Sequence, residues 1–190
     1  MKNEISLSNV NFMNCKASYS GAVYIYSSYY ESTVIINNCF FSSNQATSSS
    51  NNRKKSDQMI GGAAIFISSK SSVISDCTFD KNIGERQLKM QNEFNENDSK
   101  LKLLSSNQPK TSNVIKSCRF VIGRQSKSSI YYMPCENGVL STVRNSNFIG
   151  DLFPGNYHII EMSASKFLPI RVVVACKFSS DYTRAFNTNN

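Results

Sequence analysis

One local setting recurs six times in this chain, each time centred on a phenylalanine, and no other feature constrains the fold as strongly. The segments LSNVNFMNC, INNCFFSSN, ISDCTFDKN, IKSCRFVIG, VRNSNFIGD and VVACKFSSD align on Phe12, Phe41, Phe79, Phe120, Phe148 and Phe178. Five residues before each anchor stands Leu7, Ile36, Ile74, Ile115, Val143 or Val173, and two before stands Val10, Cys39, Cys77, Cys118, Ser146 or Cys176. Three before, the column reads Asn9, Asn38, Asp76, Ser117, Asn145, Ala175. Asn and Asp tolerate the left-handed conformation of a tight bend, so this column predicts a turn in fixed phase. Apolar and small columns at fixed spacing, repeated with a period between 20 and 50 residues, are the signature of stacked repeats.

The anchors lie 29, 38, 41, 28 and 30 residues apart, so two units carry extra residues. A second apolar segment precedes each later anchor: GAVYIYS, GAAIFIS, KLKLLS, SSIYYM and YHIIEM, starting at Gly21, Gly62, Lys100, Ser128 and Tyr157. On that alignment the insertions are 45–60 and 84–99, both polar loops entering at one corner. No segment keeps apolar residues at helical period for three turns, whereas Val, Ile, Phe, Tyr and Ser crowd the strands. The expected fold is all-β: a right-handed parallel β-helix, or solenoid, of about six coils, forming one domain over 1–190 with neighbouring strands about 4.8 Å apart. Neither end shows a clear cap, which predicts a fragment of a longer repeat protein and end-to-end self-association.

The phrases GAVYIYS, GGAAIFIS, NNCFFSSNQA and SDCTFDKN resemble the GGA-(I/V/L) and FxxN repeats of chlamydial polymorphic outer membrane proteins, within the wider pectin-lyase-like fold. The resemblance spans roughly residues 7 to 182, with FxxN intact at Asn44 and Asn82 and replaced by Cys15, Gly123, Asp151 and Asp181 elsewhere. It implies a surface or secreted module acting in display, adhesion or binding, and a turn at which asparagines stack, here the column from Asn9 to Asn145.

Catalysis is not expected. The polygalacturonase motifs NTD, GHG and RIK are missing, and no two of the 13 acidic residues are adjacent. Asp151 and Asp181 are the single carboxylate pair that stacking brings together; two acids about 5 Å apart could hold a cation or share a proton. Six cysteines show no zinc-site spacing, and four of them share one inward column, which predicts a ladder of buried free thiols rather than a metal centre or cofactor site. The single histidine, His158, alternates with Ile160 and Met162 and is expected to be structural.

Binding surfaces are the better candidates. Taking charges as outward places Tyr24, Tyr26, Ile65, Ile67, Leu101, Leu103 and Tyr131 inside and leaves Val23, Ile25, Phe66, Leu104, Ile130 and Tyr132 on an apolar outer face. Such a face calls for a cover, supplied by the insertions or by a protein or glycan partner. The chain carries 21 Lys+Arg against 13 Asp+Glu, a formal net charge of +8, but its cations are spread singly and no nucleic-acid motif organises them, so no nucleic-acid partner is expected. No apolar run is long enough to span a membrane. The repeat resemblance implies an extracellular or cell-surface location as part of a larger protein. The competing readings are a polysaccharide-degrading enzyme of the pectin-lyase type and a cytosolic β-helix scaffold.

Overall fold

The computed structural model describes residues 3–27, 32–47, 62–84, 86–91, 112–122, 128–133, 140–150, 158–162, 170–178 and 186–188. Among them every element is a strand and every ladder is parallel. The first sheet contains Asn3–Ser8, Ser32–Asn37, Ser71–Ser75, Ser112–Lys116, Leu140–Arg144 and Ile170–Val174 in sequence order. The second contains Asn11–Met13, Phe40–Ser42, Thr78–Asp80, Arg119–Ile122, Asn147–Gly150 and Lys177–Phe178. The third contains Val23–Tyr26, Ile65–Ser68, Arg86–Gln91, Ser128–Met133, His158–Met162 and Phe186–Thr188. The chain therefore visits three sheets in one cyclic order six times, each pass laying a strand beside its predecessor. Lys16–Ala17 and Gln45–Ala46 form a short fourth sheet in the first two passes, and a bridge from Gln45 to Ile83 extends it to the third.

The anchors hold register. Phe12, Phe41, Phe79, Phe120, Phe148 and Phe178 stack face to face, with ring centroids 4.7 to 5.3 Å apart and planes within 11°. The four inner rings are fully buried, whereas Phe178, on the last pass, is 36% exposed. Each parallel pair adds about 0.5–1.5 kcal/mol beyond simple burial. A one-residue slip in any pass would turn its phenylalanine outward, so the ladder also rejects wrong registers.

The predicted bend column is a bend in every pass. Asn9, Asn38, Asp76, Ser117, Asn145 and Ala175 all have φ between 51 and 58°. Each pass donates its bend amide to the pass after it, as in Asn38 N–H to Ser75 O at 3.0 Å and Asn145 N–H to Val174 O at 3.0 Å. A second left-handed column, Asn14, Ser43 and Lys81, follows the second sheet in the first three passes. Ser and Lys carry no left-handed preference, so residue type alone did not expose this corner.

The interior changes along the stack. In the first sheet, one inward row is Val34, Ser72, Asn113 and Ser141, all buried, with Ser72 Oγ donating to Asn113 Oδ1 at 2.7 Å. Burying Ser72 and Asn113 is tolerable because they bond each other. Gly21 and Gly62 lie just before third-sheet strands, where a Cβ would collide with the carbonyl oxygens of Ala63 and Ile65 respectively, so the glycines are required by close backbone approach.

The third pass corrects the alignment of the insertions. Arg86–Gln91 pairs with Ile65–Ser68 on one side and Ser128–Met133 on the other, so RQLKMQ takes the position expected for KLKLLS. The segment 84–99 is therefore not a continuous loop, and Lys100–Ser105 falls outside the described residues. The segment 45–60 likewise begins as sheet: Gln45 and Ala46 pair with the first pass, and Thr47 N–H donates to Ala17 O at 2.8 Å.

Candidate functional site

The outer face of the third sheet was expected to be a binding surface, and its composition differs from the expectation. Register aligns Val23 with Ile65, Leu88 and Ile130, and Ile25 with Ile67 and Met90. Val23 and Ile25 are 8% exposed and Ile130 fully buried, all three within the central hydrophobic cluster. They face inward. The outward row is instead Tyr24, Phe66 and Lys89, with Tyr26 one step along. Of the expected surface residues, Phe66 is correctly on this row, Tyr132 takes the register position of Met90 with its side chain outside the described residues, and Leu104 is not described.

The error has a physical source. In GAVYIYS both alternating sets are apolar enough to fill a core, so period-two patterning does not choose between them. Tyrosine resolves the tie, because its hydroxyl favours a wet position while its ring covers the sheet. Lys89 is the lysine in register with Phe66.

Tyr24 lies flat on Phe66, centroids 4.8 Å apart and planes at 11°, and the Lys89 ammonium sits 5.5 Å from the Phe66 ring centre. Phe66 is 5% exposed and Lys89 fully buried, so this face is covered within the chain at the second and third passes. At the first pass it is open: Tyr24 and Tyr26 are 55% and 56% exposed, and Tyr19, on the approach to the strand, is 57% exposed. Stacking on Phe66 fixes the ring plane of Tyr24 while more than half of the residue stays exposed. A pre-oriented aromatic ring beside two further exposed phenols suits the apolar face of a sugar ring or a protein side chain.

The cysteines form the expected thiol ladder. Cys15, Cys39, Cys77, Cys118 and Cys176 are free, the middle three buried. Each thiol of the column donates to the carbonyl two residues back: Cys39 to Asn37 at 3.3 Å, Cys77 to Ser75 at 3.1 Å, Cys118 to Lys116 at 3.2 Å and Cys176 to Val174 at 3.5 Å. Ser146 makes the same bond to Arg144 at 3.0 Å. The column therefore selects a small side chain with one donor, which explains why serine replaces cysteine there. Burial pushes the Cys39 thiol up, and donation to Cys77, reinforced by burial, pushes Cys118 well up. Accepting from Cys118 pulls the Cys77 thiol down, whereas Cys39 and Cys118, raised and buried, stay protonated and are poor nucleophiles and poor metal ligands. Among the described residues no group of three His, Cys, Asp or Glu side chains could hold a metal ion. Asp151 and Asp181 lie outside the described residues.

A buried asparagine ladder went unassigned in position, although its motif was visible. Asn82 Oδ1 accepts both the backbone N–H and the side-chain Nδ2 of Asn44 at 3.0 Å, while Asn82 Nδ2 donates to Phe41 O at 3.0 Å. Asn44 repeats the pattern toward the first pass, accepting from Cys15 N–H at 3.0 Å and donating to Phe12 O at 2.9 Å. The asparagine stack expected at the first bend also exists, Asn38 Nδ2 to Asn9 Oδ1 at 2.6 Å, but it is exposed. The FxxN asparagines are thus structural braces.

Comparisons with protein-family models, curated proteins and solved structures found no match for this chain.

Proposed function

We propose that the six passes wind as a right-handed parallel β-helix and that the chain is a non-catalytic binding module of a surface or secreted protein. The repeat resemblance supports this reading, as does the strong right-handed preference of crossovers between parallel strands. The observation that carries the binding role is the open aromatic end of the third sheet, where Tyr24 is oriented by Phe66 and Tyr26 stands beside it, both more than half exposed. The partner class is a glycan or a protein that seats on this aromatic surface.

An array of glycans and a panel of surface proteins, probed with the purified chain, tests the reading. Binding that is lost in a Tyr24→Ser/Tyr26→Ser variant with unchanged melting supports it. Retained binding in that variant, or calcium-dependent cleavage of polygalacturonate by the chain, overturns it. A second reading, a scaffold in a reducing compartment, is favoured by the five free thiols among the described residues. Fractionation of the native source separates the two.

A further inference from the structure

The cations, single in the sequence, are gathered by the register. Lys116 pairs with Arg144 on neighbouring strands of the first sheet, just before the first bend. Just after it, on the second sheet, Arg119 and Lys177 stand on either side of Asn147. Neighbouring strands are about 4.8 Å apart, so the four positions share one corner of passes four to six within roughly 10 Å along the stack. Arg119, Arg144 and Lys177 are exposed and Lys116 half-buried. None of the four pairs with a carboxylate among the described residues.

The corner is polarised along the stack. In passes four to six the described strands of the first two sheets contain no acidic residue. In passes one to three they contain Glu4 and Asp80 and no lysine or arginine, and Asp76 occupies the bend beside Ser117. Apolar side chains accompany the cations: Val174, in register with Arg144, is 53% exposed, and Ile149, two residues beyond Asn147, is 39% exposed.

We propose that this corner docks on an anionic lipid surface, the cations facing headgroups and Ile149 and Val174 entering the interfacial layer. The mixture decides among polyanions. Single-stranded nucleic acid is held by stacking on exposed rings; Tyr19, Tyr24 and Tyr26 belong to the first pass, outside this corner, and Phe178, beside Lys177, is already stacked on Phe148 in the inward ladder. Duplex grooves admit a helix or a ribbon, and a corner of stacked strands offers neither. Exposed aliphatic residues among unpaired cations match a charged surface with an apolar layer beneath it.

Co-sedimentation of the full chain with vesicles of phosphatidylcholine, alone or with one third phosphatidylserine, is the test. Binding is expected only with phosphatidylserine and should weaken as salt shortens the screening length. Each of Arg119→Gln and Arg144→Gln should lower partitioning about fivefold, the factor that corresponds to about 1 kcal/mol per cation at such a surface. Lys16→Gln, in the first pass, removes the same single charge and should change little. Ile149→Ser should lower partitioning severalfold at a salt concentration where the parent chain still binds. Equal loss in Lys16→Gln, binding to heparin or duplex DNA without binding to vesicles, or no binding at all would overturn the proposal. Tyr24→Ser should leave vesicle binding intact, which separates this test from that of the aromatic end.

Discussion

The corner between the first and second sheets repeats one backbone bend six times, with φ held between 51 and 58°, whereas the third sheet changes its outer row from pass to pass through Tyr24, Phe66 and Lys89. At the corner, backbone geometry restricts the residue types: a left-handed residue, then a small donor, then an aromatic two further on. At the third sheet only burial acts, and burial changes from more than half exposed at Tyr24 to 5% exposed at Phe66. A column under a backbone constraint keeps its conformation in every pass and its chemistry in most, Val10 and Ala175 being the exceptions. A column under a burial constraint alone follows whatever covers it.

Substitutions in the two regions should therefore separate widely, and the largest effect belongs to the corner. Phe79→Ala removes a fully buried ring stacked on both faces and should cost about 3–5 kcal/mol in chemical denaturation. A cost below about 1 kcal/mol would mean that the ladder does not bear on stability. Asn82→Ala leaves the Asn44 amide and the Phe41 carbonyl without their partner and should cost about 2–3 kcal/mol. On the third sheet the inward and outward rows are distinguished by a pair: Val23→Ser should cost about 1–2 kcal/mol, Tyr24→Ser less than about 1 kcal/mol. The reverse order would restore the phase first read from the sequence.

The smallest effect is a pH dependence at the corner. The folded-state pKa of Cys39 is raised by burial, so the folded chain holds that proton where the unfolded chain releases it. Its contribution to stability is present below the ordinary thiol range and is lost as pH rises through that range toward the folded value. Cys39→Ser should flatten the alkaline fall in melting temperature. An unchanged alkaline slope would remove Cys39 from the account.

What could be read from the sequence follows the same division. The anchors, the first bend and the thiol column were legible because each places a distinct residue type in fixed phase. The second bend was not, since Ser43 and Lys81 adopt φ of 53 and 49° without any left-handed preference of their own. The third-pass strand was missed because RQLKMQ is polar in composition, yet Gln87, Leu88, Lys89 and Met90 are all buried. The basic corner was hidden for another reason: Lys116 and Arg144 are 28 residues apart in the chain and neighbours only through the ladder. The aromatic end was misread because tyrosine and valine alternate there, and only their burial tells them apart.

Cyclic parallel stacking is the claim on which everything else rests, and pulsed spin-label distances across the exposed bend column test it most directly. Labels at Asn9 paired in turn with Asn38, Ser117 and Asn145 span one, three and four passes. The account predicts backbone separations rising linearly by about 4.8 Å per pass, to roughly 5, 14 and 19 Å before allowance for the label arms, whatever the number of residues in between. Separations that follow chain length instead of pass number, or that fail to rise from Asn38 to Asn145, would contradict it.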